Sequence, residues 1–166
     1  MATEVVEIPV GDRGTDLTLA AMRKLVNGGL LDPVVRRQAS SCISGCHPYR
    51  FECHALSIRS WLARVWRFVR DPAGVELIRS PQRLLDGFSR DGYIAGDCDD
   101  AAILGASLGK AIGLPARFMV LGFPATKGAF SHVFNEVWTG RRWLDFDVTR
   151  PPGASPVPSR VKMVRV

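Results

Sequence analysis

A single cysteine, Cys98, stands among aspartates at the start of a long apolar run, in the stretch GDCDDAAILGA of residues 96–106. A helix that begins near Asp97 would place the Cys98 thiol at the positive end of the helix macrodipole, beside unsatisfied backbone N–H groups. That position lowers a thiol pKa and favours the nucleophilic thiolate. The neighbouring carboxylates act in the opposite direction, because a negative charge disfavours a second one nearby. Cys98 is therefore a candidate nucleophile under two opposing influences.

The three aspartates around Cys98 also have a structural use. Asp97 suits the N-cap of a helix, and Asp99 and Asp100 in its first turn interact favourably with the macrodipole. We expect Asp97 and Asp100 to cap the helix rather than to bind a metal. The cluster lacks the alternating spacing and the downstream glutamate of a calcium loop.

A cysteine nucleophile needs a base, and His132 is the best placed of three histidines because it opens a strand-like segment, HVFNEVW. A short Gly-containing link separates this segment from WLDFDV at 143–148, which predicts an antiparallel hairpin. The pairing would bring Asp147 near His132, where a carboxylate orients and stabilises the imidazole. Asp145 competes for this role, since residues two apart on a strand share a face.

A second set of ligand-type residues lies in CISGCHPYRFECH, residues 42–54. These residues are Cys42, Cys46, His47, Cys53 and His54. Soft ligands at this density suggest a structural zinc. The spacing is not a familiar zinc motif, however, and the adjacent Cys53 and His54 would point apart on a predicted helix. Partly buried or solvent-facing side chains are the favoured interpretation, and the sequence predicts no metal or other cofactor.

The elements that must position these residues form a helical front half and a strand-rich back half. A short strand or ordered arm is predicted over 5–10, and helices over 15–26, from Asp32-Pro33 toward Ser40, and over 51–69. A short extended piece at 75–78 and a flexible link over 87–92 lead to the Cys98 helix, which runs from near Asp97 to Ile112. Strands are predicted over 116–123, 132–138 and 143–148.

The predicted Cys98 helix is apolar on nearly every side, which indicates that it is buried. Gly105 and Gly109, one turn apart, would let another backbone approach it closely. We expect a single domain over 1–150. The Pro-rich tail, 151–166, should wrap the surface or be loosely held.

Composition limits the class of protein. The chain has 166 residues, 46% of them hydrophobic, as expected for a soluble globular domain. The start MATEVVEIPVGDRG has neither a basic nor an apolar segment, and no apolar run could cross a bilayer, so we expect no signal peptide and no membrane span. Four cysteines in a leaderless chain predict reduced thiols and a cytoplasmic location.

The net charge of +6 is concentrated between Arg36 and Arg90, where ten arginines stand against four acidic residues. A solvated helix face is the favoured interpretation of these arginines. The alternative is an acidic protein partner that contacts Arg64, Arg67 and Arg70. The sequence does not favour nucleic-acid binding, because it has no aromatic-interleaved basic stripe and no helix-turn-helix or zinc-finger spacing.

Three segments, GDCDDAAILGASLGKAIGLPARFMVLG, SHVFNEVW and WLDFDVT, together resemble the transglutaminase-like superfamily, which is papain-like in architecture. The resemblance is strongest over 96–149. It extends more weakly through WLARVWRFVRDPAGVELIRSP, which is similar to small bacterial and phage members. The resemblance implies an α+β fold in which a central helix carries the cysteine and packs on a small antiparallel sheet, with a helical N-terminal half.

By position, the resemblance implies that Cys98 is the nucleophile, His132 the general base and then acid, and Asp147 the orienting carboxylate. Asp147 is favoured over Asp145 because it follows Trp143 by four residues, as in the family pattern. The implied reaction is acyl transfer from a peptide or side-chain amide through a thioester. Hydrolysis of a peptide or protein substrate is slightly favoured.

Two alternatives to hydrolysis remain open from the sequence. One is a protein-crosslinking transglutaminase, in which a lysine amine takes the acyl group. The other is an inactive binding or assembly module, for example in a phage particle, that uses the Arg-rich face. The only oxyanion donor that the sequence assigns is the backbone N–H of Cys98, because Gln82, Tyr93 and the tryptophans of the long helix have no supporting spacing.

Overall fold

The computed structural model of the chain describes residue 9 and residues 11–72, 76–150 and 157–166. Five α-helices, one 3-10 turn and six strands lie within these residues. They are α1 Asp12–Gly29, α2 Pro33–Ile43, α3 Phe51–Val65, β1 Trp66–Phe68, α4 Pro81–Asp91, β2 Ile94–Gly96, α5 Cys98–Ala111, β3 Ala116–Gly122, the 3-10 turn Pro124–Thr126, β4 Phe130–Trp138, β5 Trp143–Asp145 and β6 Arg160–Arg165. The expected α+β fold is confirmed, whereas the strand predicted over 5–10 lies largely outside the described residues.

The central feature of the fold is α5, which packs on β4 and β3 and also contacts α1, α2, α3 and α4. Four strands form one sheet in the order β5-β4-β3-β6, and every neighbouring pair in this sheet is antiparallel. The two glycines of α5 face β4: a Cβ on Gly105 would overlap the amide oxygen of Asn135, and one on Gly109 would lie 3.0 Å from Val137 Cγ2. The two glycines thus admit side chains of β4 against this buried helix, rather than a second backbone as predicted.

Side-chain caps mark where α2, α4 and α5 begin. Asp32 Oδ1 accepts the backbone N–H of Val34 at 2.8 Å, and Pro33 follows at the first helical position, as predicted. The flexible link expected over 87–92 is wrong, because α4 occupies most of it. Ser80 caps this helix, and Gly92 ends it with a φ of 75°.

The long helix predicted over 51–69 is wrong at its C-terminal end. Helix α3 stops at Val65, and Trp66 then pairs with Ile94 in a parallel ladder between β1 and β2. Aromatic and β-branched residues favour this extended conformation. Val69 N–H continues the contact by donating to the Gly96 carbonyl at 2.9 Å. The end of α3 therefore supports the short strand that leads directly to Cys98.

The strand-rich back half differs from prediction at the end of β5 and in the C-terminal tail. Strand β5 stops at Asp145 rather than Val148. The expectation of a loosely held tail is wrong for Arg160–Arg165, which form β6 and pair with β3 along its free edge. The alternating run RVKMVR fits a strand with one face toward the protein.

The cysteine-rich segment contains a disulfide between Cys46 and Cys53, whose Cα atoms are 6.0 Å apart. The prediction of four reduced thiols is therefore wrong for this pair; Cys42 and Cys98 are free. Cys46 lies in the loop between α2 and α3, and Cys53 is the third residue of α3. The disulfide therefore ties this loop to the start of the helix. The described residues contain no group of three His, Cys, Asp or Glu side chains that could hold a metal. No helix among them is long and apolar enough to span a membrane.

Candidate active site

Cys98 is the first residue of α5, and Asp97 is its N-cap. Asp97 Oδ1 accepts the backbone N–H groups of Asp99 at 3.1 Å and Asp100 at 3.5 Å. The predicted cap is confirmed for Asp97. Burial, followed by the negative charges of Asp100 and Asp71, raises the pKa of Asp97 to about 6.

Asp100 does not cap the helix as expected, because it pairs with Arg79. The fully buried Asp100 carboxylate accepts the backbone N–H of Arg79 and its guanidinium Nε, both at 3.0 Å, and also binds Nη2. Burial raises the pKa of Asp100, while Arg79 limits the rise. Arg79 Nη2 also donates to the Ala95 carbonyl at 2.7 Å. This single side chain fixes β2 against α5, and so fixes the position of Cys98.

His132 lies near the start of β4 and contacts Asp147, which follows β5. His132 Nε2 and Asp147 Oδ2 are 2.6 Å apart, and both side chains are largely buried. A carboxylate only accepts hydrogen bonds, so the ring proton lies on Nε2 and donates to Asp147. The other ring nitrogen, Nδ1, is then the one that can take a proton from a thiol.

Further contacts keep Asp147 ionised. Its Oδ1 accepts the Thr149 backbone N–H at 3.2 Å and the Thr149 hydroxyl at 3.0 Å, and Arg150 Nε lies 3.8 Å from Oδ2. Burial raises the pKa of Asp147. The hydrogen bond and charge of His132, together with two hydrogen bonds from Thr149, outweigh burial and bring this pKa below its ordinary value. Asp145 is exposed and accepts the backbone N–H of Asp147. Between the two carboxylates, only Asp147 contacts the imidazole.

Cys98 and His132 line one cavity of about 300 Å³. Its walls come from α1, the start of α5 and the start of β4. Val133, next to His132 in the chain, lines the same cavity, and its backbone N–H acts to lower the pKa of the Cys98 thiol. The topology thus brings together the cysteine of the helix and the histidine of the strand, two of the three residues selected from the sequence.

The same cavity contains two carboxyl groups whose role the sequence did not indicate, those of Asp99 and Glu76. Asp99 is buried, and its Oδ1 accepts a hydrogen bond from the Cys98 thiol at 3.6 Å. Burial, then the hydrogen bond and charge of Glu76, raise the pKa of Asp99 well above its ordinary value. Nothing in the sequence pattern pairs residues so far apart, so only the folded chain shows this carboxyl pair.

The pKa of Cys98 is raised, contrary to the expectation from its place at a helix start. Burial is the largest cause, and the charges of Asp99 and Asp97 add to it; the Val133 N–H acts in the opposite direction. A neutral thiol at rest needs a base to remove its proton. His132 is the imidazole that lines the same cavity.

An oxyanion site is available at the start of α5. The backbone N–H of Cys98 donates to no acceptor in the described part of the chain. Neither Gln82, Tyr93, Trp61 nor Trp66 lines the cavity. The N–H at the helix terminus is thus the donor that the structure offers to a developing negative charge.

Comparison with known proteins gives a family match and a fold match. A family model of the transglutaminase-like superfamily matches residues 37–148, and no curated protein matches the chain. A proposed protease from Parabacteroides distasonis is 12% identical, with a TM-score of 0.65 over 99% of this chain and 34% of that one. A proposed cysteine protease from Cytophaga hutchinsonii is 19% identical, with a TM-score of 0.48 over 80% of this chain and 50% of that one. The chain thus spans half or less of either solved structure, and the Parabacteroides likeness shows a shared fold.

Proposed function

This chain belongs to the transglutaminase-like superfamily of thiol-dependent enzymes, as the sequence resemblance implied, and from that premise we propose that it hydrolyses peptide or side-chain amides through a thioester on Cys98. The observation that carries the proposal is the His132–Asp147 hydrogen bond at the cavity that also contains the Cys98 thiol. The fold shared with a proposed protease adds support for hydrolysis.

In the first half of the proposed reaction, His132 Nδ1 takes the thiol proton as the Cys98 sulfur attacks the carbonyl carbon. The carbonyl oxygen becomes negatively charged and accepts the Cys98 backbone N–H. Asp147 stabilises the imidazolium that forms. When the C–N bond breaks, His132 returns its proton to the departing amine or ammonia, and a thioester remains.

In the second half, water replaces the amine. His132 removes a proton from the water as its oxygen attacks the thioester carbon, and a carboxylic acid leaves when the C–S bond breaks. The Cys98 sulfur then recovers a proton from the imidazolium. Each proton that His132 accepts is returned, so no other reactant than substrate and water is required.

The decisive test is product analysis with a proteome-derived peptide mixture and a fluorescent primary amine. We expect wild-type protein to generate new carboxyl termini or to convert glutamine to glutamate, and Cys98→Ala and His132→Ala to generate neither. Absence of product from wild type, with Cys98 alkylated no faster than Cys42, would overturn the proposal.

Crosslinking is a second candidate that one observation favours. The carboxyl groups of Glu76 and Asp99 in the cavity would attract the ammonium group of a lysine acceptor. In the same experiment a crosslinking enzyme would attach the fluorescent amine to glutamine side chains, and a hydrolase would leave the amine free. The ratio of the two products decides between these fates of the thioester.

The inactive binding module is favoured by the raised pKa of the Cys98 thiol. Such a protein would tolerate Cys98→Ala with no change in its binding partners. The alkylation rate of Cys98 separates it from an enzyme, because a working thiol–imidazole pair labels faster than an ordinary buried thiol.

A further inference from the structure

The cysteine-rich segment builds one wall of a second cavity, which shares no lining residue with the first. This cavity has a volume of about 980 Å³ and extends along α3 beside the turn from β4 to β5. We call it the basic cleft, after Arg50, Arg64 and Arg141 in its lining. His132 lies near one end of β4 and Thr139 of the cleft follows the other, a separation of about 23 Å along a strand.

The charge of the basic cleft is not balanced by the protein. Arg50, Arg64 and Arg141 form no ion pair with any carboxylate that the structure describes. Glu52 is the one acidic residue in the described lining, and Arg142 engages its Oε1 at 2.6 Å. Three arginines therefore line one cavity, and none of them has a carboxylate partner among the described residues. Guanidinium groups bind carboxylates through two parallel hydrogen bonds.

Three ties hold the walls of the basic cleft in place. The Cys46–Cys53 disulfide fixes the loop with Arg50 to α3. The Glu52–Arg142 ion pair joins α3 to the β4–β5 turn. A Cβ on Gly140 would lie 3.7 Å from Phe51 Cδ2, so this turn also packs on the first residue of α3. A rigid, preformed site loses less conformational entropy when a ligand binds.

We propose that the basic cleft binds an acidic peptide segment that also carries apolar side chains. Its lining combines the three arginines with the exposed apolar groups of Phe51 and Leu56 and with serine hydroxyls. Carboxylates would pair with the guanidinium groups while apolar side chains cover Phe51 and Leu56. A single-stranded nucleic acid is the competing occupant, because its bases stack on aromatic platforms along a basic groove and Tyr49 and Phe51 both line the cleft.

Of the three arginines that the sequence analysis offered as a partner surface, only Arg64 belongs to the basic cleft. Arg64 lines the basic cleft, whereas the Arg67 guanidinium lies 3.9 Å from the centre of the Tyr93 ring, beside β1. The proposal does not depend on the activity of Cys98. A failure of peptide binding therefore leaves the proposed hydrolysis untouched, and a failure of hydrolysis leaves this binding site untouched.

The test is fluorescence anisotropy with fluorescein-labelled EELEEFEELE and the full-length Cys98→Ala variant, which prevents turnover of the probe. QQLQQFQQLQ and an oligothymidylate of similar length serve as competing probes. We expect the triple variant Arg50→Gln/Arg64→Gln/Arg141→Gln to bind the acidic peptide at least about tenfold more weakly. Arg36→Gln/Arg37→Gln/Arg59→Gln loses the same charge from exposed positions outside the cleft and should bind normally.

Three results would overturn the assignment. Equal weakening by the two triple variants would show that only overall charge matters. Equal binding of the glutamine peptide would exclude carboxylate recognition. Tighter, Arg50-dependent binding of the oligothymidylate would identify a nucleic-acid site instead. Thermal unfolding by circular dichroism checks that both variants fold, and a single Arg141→Gln variant on the exposed turn gives an independent measurement.

Discussion

Asp99 is placed to control how easily Cys98 ionises, because its carboxyl oxygen accepts the thiol at 3.6 Å. The raised pKa of Asp99 keeps this carboxyl neutral to a higher pH than an ordinary aspartate. Above that pH its charge opposes the thiolate. We expect Asp99→Asn to lower the apparent pKa of Cys98 by about one unit, measured as the pH dependence of iodoacetamide labelling.

Asp99→Asn should increase the rate of Cys98 labelling most at alkaline pH. There the wild-type Asp99 carboxyl is charged, whereas the asparagine side chain is neutral. Asp86→Asn removes an exposed carboxylate on α4 and should leave the profile unchanged. If Asp99→Asn labels at the wild-type rate across the whole pH range, its carboxyl does not act on the thiol.

The two carboxylates that the sequence left in competition can be separated by matched substitutions. Asp147→Asn removes the negative charge that stabilises the His132 imidazolium, so amide turnover should fall at least about a hundredfold. Asp145→Asn keeps an oxygen that can accept the Asp147 backbone N–H, and turnover should stay close to wild type. Greater loss from Asp145→Asn than from Asp147→Asn would reverse the assignment.

At the residue scale, sequence reasoning reached the residues that a local pattern determines. Cys98 follows an N-cap, and the short hairpin link brings the segment after β5 near His132. The choice of Asp147 over Asp145 came from the family pattern, because Asp147 lies beyond the last residue of β5. The Asp99–Glu76 pair and the raised pKa of Cys98 were not predictable, since both depend on burial and on contacts between distant segments.

Among the elements, α5 depends on a close approach to β4. Gly105→Ala places a methyl group against the amide oxygen of Asn135, which is buried and cannot move into solvent. We expect it to lower the free energy of unfolding by about 1–3 kcal/mol, measured by urea denaturation. Gly87→Ala on α4 meets no atom within 4 Å. It should stabilise the protein by about 0.5–1 kcal/mol.

A double variant, Gly105→Ala/Asn135→Ala, tests whether contact with the Asn135 side chain causes the loss of stability in Gly105→Ala. The Asn135 amide has no hydrogen-bond partner among the described residues, so its removal should restore part of the lost stability. If the double variant is no more stable than Gly105→Ala, the cost does not come from the contact of α5 with Asn135.

Arg79 holds the segment before α4 and strand β2 against α5 through Asp100. Arg79→Met leaves the fully buried Asp100 carboxylate with the backbone N–H of residue 79 but without its charged partner, and should cost about 3–5 kcal/mol of unfolding free energy at neutral pH. The pKa of Asp100 is already raised in the folded protein. Its carboxyl will therefore take up a proton as the pH falls, and the deficit of the variant should shrink.

The control for this pH dependence is Arg83→Met, an exposed position on α4 that forms no ion pair in the described residues. It should change the unfolding free energy by less than about 0.5 kcal/mol at any pH. A deficit of Arg79→Met that is constant between acid and neutral pH would mean that Asp100 is not the buried charge responsible.

Helix α4 and strand β1 show why some elements were mispredicted. Ser80-Pro81 is a cap followed by a helix start, but Gly87 weakens the helical pattern that follows. Trp66 fits the apolar period of α3, and only its pairing with Ile94 ends the helix there. Tertiary contacts outweigh local preference at both places.

At the scale of the whole molecule, strand β6 joins segments that are far apart in the chain. Strand β6 covers the free edge of β3, and Arg160 binds Asp12 of α1 at 2.9 Å. The alternating run of six residues was not predicted as a strand because prolines precede it, and the unpaired edge of β3 that it covers exists only in the folded chain.

The Cys46–Cys53 disulfide is a second feature that the sequence analysis did not predict. It closes a short loop between α2 and α3, and such a constraint removes conformational freedom mainly from the unfolded chain. Chain-entropy arguments give about 2–3 kcal/mol for a loop of this length. We expect Cys46→Ser/Cys53→Ser to lose that much unfolding free energy in the absence of reductant.

Thiol titration in denaturant provides the direct measurement. Without reductant the wild type should expose two reactive thiols, those of Cys42 and Cys98, and with prior reduction four. Cys42→Ser should retain the response of stability to reductant, because the bridge does not include it. Four thiols without reductant would restore the reduced-cysteine prediction. The basic cleft would then have to be held by the Glu52–Arg142 ion pair and the Phe51 contact alone.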